Sequence, residues 1–138
     1  MISRASRISL LFPKMVSEKQ FPATTVGLAD CQKFLSDLCQ SPRPQIIMDE
    51  IVSNIVRCSG ATSFVVRCEH IFPNGVVAMT FIDDGKPFDP TKEIAEPNIA
   101  AKLEDRDVGG LGIFMVKKMS KSVAYIRDGE QNRLSVTL

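Results

Sequence analysis

Glu50 and Asn54 stand four residues apart, so on a helix a carboxylate and an amide rise one turn from each other on the same side, where both can face one ligand. Asp83-Asp84-Gly85-Lys86-Pro87-Phe88-Asp89-Pro90 puts an acid and a glycine at the exit of an apolar run. A carboxylate fixed there accepts a hydrogen bond from a ligand amine. Gly109, Gly110 and Gly112 crowd ahead of Ile113-Phe-Met-Val116. Glycines admit a phosphate to the backbone without a Cβ in the way, and a helix start presents unpaired N–H groups at the positive end of its dipole. Taken alone, each pattern also describes something plainer: the wet side of an amphipathic helix, an Asp/Gly/Pro turn, a glycine hinge before a core helix. What they mean depends on whether the rest of the chain brings them together.

The carriers are legible in the spacing of apolar residues. Ser17 to Phe21 reads as an edge strand, and Ala23-Thr-Thr caps a first helix whose apolar positions include Val26, Leu28, Phe34, Leu35 and Leu38. Ser41-Pro-Arg-Pro44 breaks the chain, and a second helix runs from about Gln45 to Cys58. Wound at about 100° per residue, that helix gathers Ile47, Met48, Ile51, Val52, Ile55 and Val56 on one arc. Asp49, Glu50, Ser53 and Arg57 take the other arc, with Asn54 at the border. Ser63 to Glu69 alternates apolar and polar, Asn74-Gly75 signals a turn, and Val76 to Ile82 is a second apolar run, together an antiparallel hairpin. Thr91 to Asp107 is a loop with one short helix around Ile99 to Leu103, a natural lid. A helix through about Met119 follows the glycines. Two last strands, Val123 to Arg127 and Arg133 to Leu138, are joined by Asp128-Gly-Glu-Gln-Asn132. The sum is an α+β, two-layer sandwich with helices on one face of a mainly antiparallel sheet.

Composition bounds what such a domain does. The chain has 138 residues, 44% hydrophobic and 24% charged, enough for one domain with a real core. The expected division is a flexible extension over 1–16 and a single domain over 17–138. Seventeen Lys+Arg against sixteen Asp+Glu leave a formal charge of +1, so no global field draws it to nucleic acid or membrane. Cys31, Cys39, Cys58 and Cys68 form no C-x-x-C pair and His70 is the only histidine, which argues for four reduced, mostly buried thiols rather than a zinc site. Arg4, Arg7 and Lys14 flank an apolar piece, Ile8 to Phe12, too short for a spanning helix. A cytoplasmic protein is expected, with Met15 as an alternative start.

In order and spacing, Glu50-x-x-x-Asn54, Asp83-x-Gly85-x-x-Phe88-Asp89-Pro90 and Gly109-Gly-Leu-Gly112 form one set. Over roughly Phe21 to Leu138 the chain resembles the GHKL, or Bergerat-fold, ATP-binding superfamily, and most closely the bacterial anti-sigma-factor serine/threonine kinases. The resemblance implies ATP or ADP with Mg²⁺ as ligands. It implies that Asn54 helps hold the metal, that Asp83 takes the adenine amino group with Gly85 beside it, and that Gly109, Gly110, Leu111 and Gly112 line the phosphate lid. It further implies a homodimer that sequesters a sigma factor and phosphorylates an anti-anti-sigma partner of the STAS type.

Glu50 carries the choice of chemistry. A carboxylate beside a γ-phosphate accepts the proton of an attacking hydroxyl, whereas an imidazole acceptor needs no such base. Glu50 therefore favours a protein kinase acting on a hydroxyl. A non-catalytic nucleotide-binding module and a free-standing ATPase stay open beside it. Two features depart from the family pattern: Arg57-Cys58-Ser59-Gly60 stands where a histidine and a small residue often continue the asparagine helix, and 91–108 carries no recognisable sigma-binding signature. Lys86, Lys117 and Lys118 are expected as solvated surface charges.

Overall fold

The computed structural model describes residues 14–71, 75–92 and 110–138. Strand β1 (Met15–Pro22) leads through α1 (Thr25–Leu38) and α2 (Pro42–Cys58) to β2 (Ser63–Ile71) and β3 (Gly75–Asp83). Helix α3 (Gly110–Met119) precedes β4 (Ser122–Asp128) and β5 (Gln131–Thr137). The strands form one antiparallel sheet in the order β1-β2-β3-β5-β4, so β5 is inserted between β3 and the later edge strand β4. The expected α+β architecture is the observed one.

Burial in the strands has the two-residue period of a sheet covered on one face. Phe64, Val66 and Cys68 are buried on β2, and Leu134 and Val136 on β5. Against them lie Cys31 and Leu35 of α1, the Ile47, Met48, Ile51, Val52 and Ile55 stripe of α2, and Val116 of α3. Phe21 stacks on Phe64 at 5.4 Å between centroids and meets Phe34 edge-on at 5.7 Å, which ties β1 to β2 and to α1. Contacts of this kind contribute about 0.5–1.5 kcal/mol each beyond area burial.

Local chemistry sets the element ends. Thr24 caps α1 by accepting the Gly27 N–H at 3.1 Å. A Cβ at Gly27 would lie 1.7 Å from the Pro22 carbonyl oxygen, so only glycine lets the first turn of α1 sit on the end of β1. Val26, expected in the apolar stripe, faces outward at 65% exposure, and Cys31 fills the inner face in its stead. Helix α2 begins at Pro42, ahead of the expected Gln45. The prolines that read as a break are its first turn, where a missing N–H costs nothing and φ is already helical. The sheet likewise begins at Met15 rather than at 17. The expected lid helix around Ile99 to Leu103 and the turn at Asn74 lie outside the described residues.

Candidate nucleotide site

Glu50 and Asn54 emerge half-buried from α2, whose apolar stripe fixes the rotation of the helix against the sheet. The Glu50 carboxylate reaches the first turn of α3: a Cβ at Gly112 would stand 2.0 Å from its Oε2. Gly112 is therefore required for that approach. A carboxylate there lies at the positive end of the α3 dipole. Asn54 Oδ1, one turn on, accepts a 3.1 Å hydrogen bond from Arg57 Nη2, while Arg57 Nε holds the Ser53 carbonyl. Gly110 and Leu111 belong to the first turn of α3. Gly109 and the side chain of Leu111 lie outside the described residues.

The second part of the site is the exit of β3. Asp83 is buried at 7% exposure, and its Oδ1 accepts from the Gly85 N–H at 2.8 Å and from Asn132 Nδ2 at 3.0 Å. Its Oδ2 has no donor among the described residues. Gly85 lets this loop lie directly on the C-terminal cap of α2, since a Cβ there would come within 2.7 Å of both Cβ and O of Ser59. The Lys86 N–H then donates to the Ser59 carbonyl at 2.9 Å. Ser59 is itself buried, donating to the Ile55 carbonyl and accepting from Ala61 N–H. Gly60 makes the sharp exit from the helix with φ +69°. Helix α2 thus meets the first turn of α3 at Glu50 and the β3 exit loop at Ser59, ~13 Å apart along its axis at 1.5 Å per residue.

Sequence reasoning missed the residues that hold Asp83. Asn132, assigned to a turn, lies in β5 opposite Asp83 and is buried at 5% exposure. Tyr125 and Arg127 of β4 both donate to its Oδ1. One signal was available: Asn132, Leu134 and Val136 share the inward period of β5, so a polar side chain stood on a core-facing position. Asp89 is turned to a local task, accepting from Thr91 N–H and Oγ1. Lys86 and Lys117 are exposed, as is Lys118, which rests over the Phe114 ring at 5.4 Å.

The arrangement fits an adenine nucleotide and a cation in its donor set. A buried carboxylate oxygen without a donor among the described residues is costly until one reaches it, Asn54 supplies a hard oxygen of the kind Mg²⁺ takes, and Gly85 and Gly112 let the β3 exit and the first turn of α3 approach α2 closely. The model of the histidine kinase-like ATPase domain family matches residues 23–138. The chain belongs to that family. No curated protein matches it. As a histidine kinase-like ATPase domain of the GHKL type it is an ATP-binding module, and the match covers every described element except β1, which lies ahead of it. No helix among the described residues of this ATPase domain is long and apolar enough to cross a membrane.

Proposed function

We propose that this histidine kinase-like ATPase domain is an anti-sigma regulatory factor that binds ATP with Mg²⁺ and phosphorylates a serine or threonine of an anti-anti-sigma partner. The observation that carries the reading is the Glu50 carboxylate seated against the first turn of α3, with Asn54 one turn along the same side of α2. In this reading Asp83 accepts the adenine amino group on Oδ2, the oxygen with no donor among the described residues, with Gly85 beside it. Gly109, Gly110, Leu111 and Gly112 are assigned to the phosphates in the same reading. Glu50 accepts the proton of the attacking hydroxyl as its oxygen bonds to the γ-phosphorus and the bond from that phosphorus to the β,γ-bridging oxygen breaks, with ADP leaving. Asn54 Oδ1 would help hold Mg²⁺, which when bound would offset phosphate charge.

The sigma factor and the STAS-type partner belong to the same proposal, as does a cytoplasmic site of action. A homodimer is supported by the edge of β1, which has no second strand beside it among the described residues and where Met15 and Val16 are 46% and 45% exposed. A second reading, a nucleotide-binding module that sequesters its partner without catalysis, is favoured by the Arg57 guanidinium on Asn54 Oδ1, a cation already beside the oxygen proposed for the metal.

Incubation with labelled ATP, Mg²⁺ and candidate anti-anti-sigma proteins tests both. Transfer is expected in the parent and should fall roughly 10²- to 10⁴-fold in Glu50→Gln, which keeps shape and removes the proton acceptor. ATP affinity, measured by calorimetry, should change little. Equal transfer by parent and variant removes Glu50 as the base. Nucleotide and partner binding without any transfer leaves the non-catalytic reading.

A further inference from the structure

The Asn132 side chain uses every hydrogen-bonding group it has. Nδ2 donates to Asp83 Oδ1 at 3.0 Å and to the Lys86 carbonyl at 2.7 Å. Its Oδ1 accepts from Tyr125 Oη at 2.5 Å, and from Phe88 N–H and Arg127 Nη1, both at 3.2 Å. Only one orientation of the amide satisfies this set, because a flipped amide would turn donors on the two N–H donors, of Phe88 and Arg127, and an acceptor on two acceptors. Arg127 closes the cluster from outside, its Nη1 also donating to the Gly85 carbonyl at 2.9 Å and its Nε to the Gly129 carbonyl at 3.1 Å. The cluster joins β5 and β4 to the exit of β3, and Asn132 and Asp83 are both buried within it.

We propose that Asn132 is a positioning residue that makes Asp83 a one-oxygen acceptor and so sets the preference of the site for a base bearing an exocyclic amine over one bearing a carbonyl. The inference rests on the nucleotide reading above. Asn132 and the Gly85 N–H together occupy Asp83 Oδ1. The remaining acceptor capacity is then on Oδ2. An amine at the base edge donates to it, and a carbonyl at the same place meets an acceptor. Tyr125 and Arg127 act through Asn132 by fixing which end of the amide faces Asp83.

Binding of ADP and of inosine diphosphate, which differ at that position by amine against carbonyl, measures the preference as a ratio of dissociation constants. The parent should bind ADP more tightly. Asn132→Asp turns a donor into an acceptor against Asp83 Oδ1, so the two carboxylates share a proton and Asp83 becomes able to donate. The ratio should collapse at least about tenfold and climb again with pH as that proton leaves. Tyr125→Phe keeps the ring packed and removes one donor to Asn132, and should lower the ratio roughly 2- to 10-fold; it decides the matter if Asn132→Asp does not fold. A merely structural role would weaken both nucleotides equally, so unchanged ratios in folded variants overturn the proposal. A parent that binds both nucleotides equally overturns it while leaving nucleotide binding intact. A parent that binds neither overturns the nucleotide reading and this proposal with it.

Discussion

Asn54 meets a competitor on its own helix. An amide oxygen has two lone pairs, one of which takes Arg57 Nη2, and a guanidinium beside it repels a divalent cation approaching the other. Arg57 is exposed and held by hydrogen bonds to Asn54 and to the Ser53 carbonyl. Exposed charged contacts of this kind contribute about 0.2–1 kcal/mol, so displacing it is cheap but measurable. Arg57→Ala should therefore raise Mg²⁺-dependent ATP affinity roughly 2- to 5-fold and leave affinity in chelator unchanged, with folding stability within about 0.5 kcal/mol of the parent. Calorimetric titration with and without Mg²⁺ reads this directly. A loss of affinity would show Arg57 serving the nucleotide itself.

Elements were legible in the sequence where burial dictates the pattern. The stripe from Ile47 to Ile55 and the alternation of Phe64, Val66 and Cys68 are the direct imprint of one buried face, and both stand as read. Boundaries and outward apolar residues were not legible. Prolines fit a first helical turn as well as a loop, and Val26 has nothing local to distinguish it from Leu35. The Asp84 junction belongs to the same non-local class. Its carboxylate leaves β3 and accepts from the Thr62 hydroxyl and from the Thr62 and Ser63 N–H groups at the start of β2. The Thr62 hydroxyl, aided by the backbone donors, holds the Asp84 carboxyl below its ordinary value of 3.8. A carboxyl lowered in the folded state stabilises above its unfolded value and loses that contribution as pH falls through the folded one. The tie between the β2 start and the β3 exit should thus hold at pH 7 and begin to weaken only as pH falls below 3.8. Asp84→Asn should melt lower than the parent at neutral pH and lose less between about pH 4.5 and pH 2.5, as followed by circular dichroism. Parallel curves would mean that the carboxylate carries no net stability.

At the scale of the whole molecule, the candidate site was legible as three spaced motifs but not as a network, because the strand order that sets Asn132 of β5 beside Asp83 of β3 is fixed only when the sheet closes. The same closure buries three of the four thiols. Cys31 of α1, Cys39 at its end and Cys68 of β2 lie between the helical layer and the sheet, while Cys58 is exposed. Burial pushes the Cys31 and Cys68 thiols up to about 12, so neither offers a thiolate at neutral pH until the layers part. A thiol reagent should label Cys58 quickly and the other three only through unfolding. When reclosing outpaces labelling, that slow rate follows the unfolded fraction. A ligand that binds only the folded chain lowers the fraction by the factor 1 + [L]/Kd. ADP at 100 times its Kd should then slow the buried thiols about 100-fold, linking the nucleotide site to the cohesion of the two layers. Mass spectrometry of the time course separates the phases. More than one fast thiol before denaturant is added would show that the helices do not seal this face of the sheet, and slow labelling unchanged by saturating ADP would show that the layers part without opening the site.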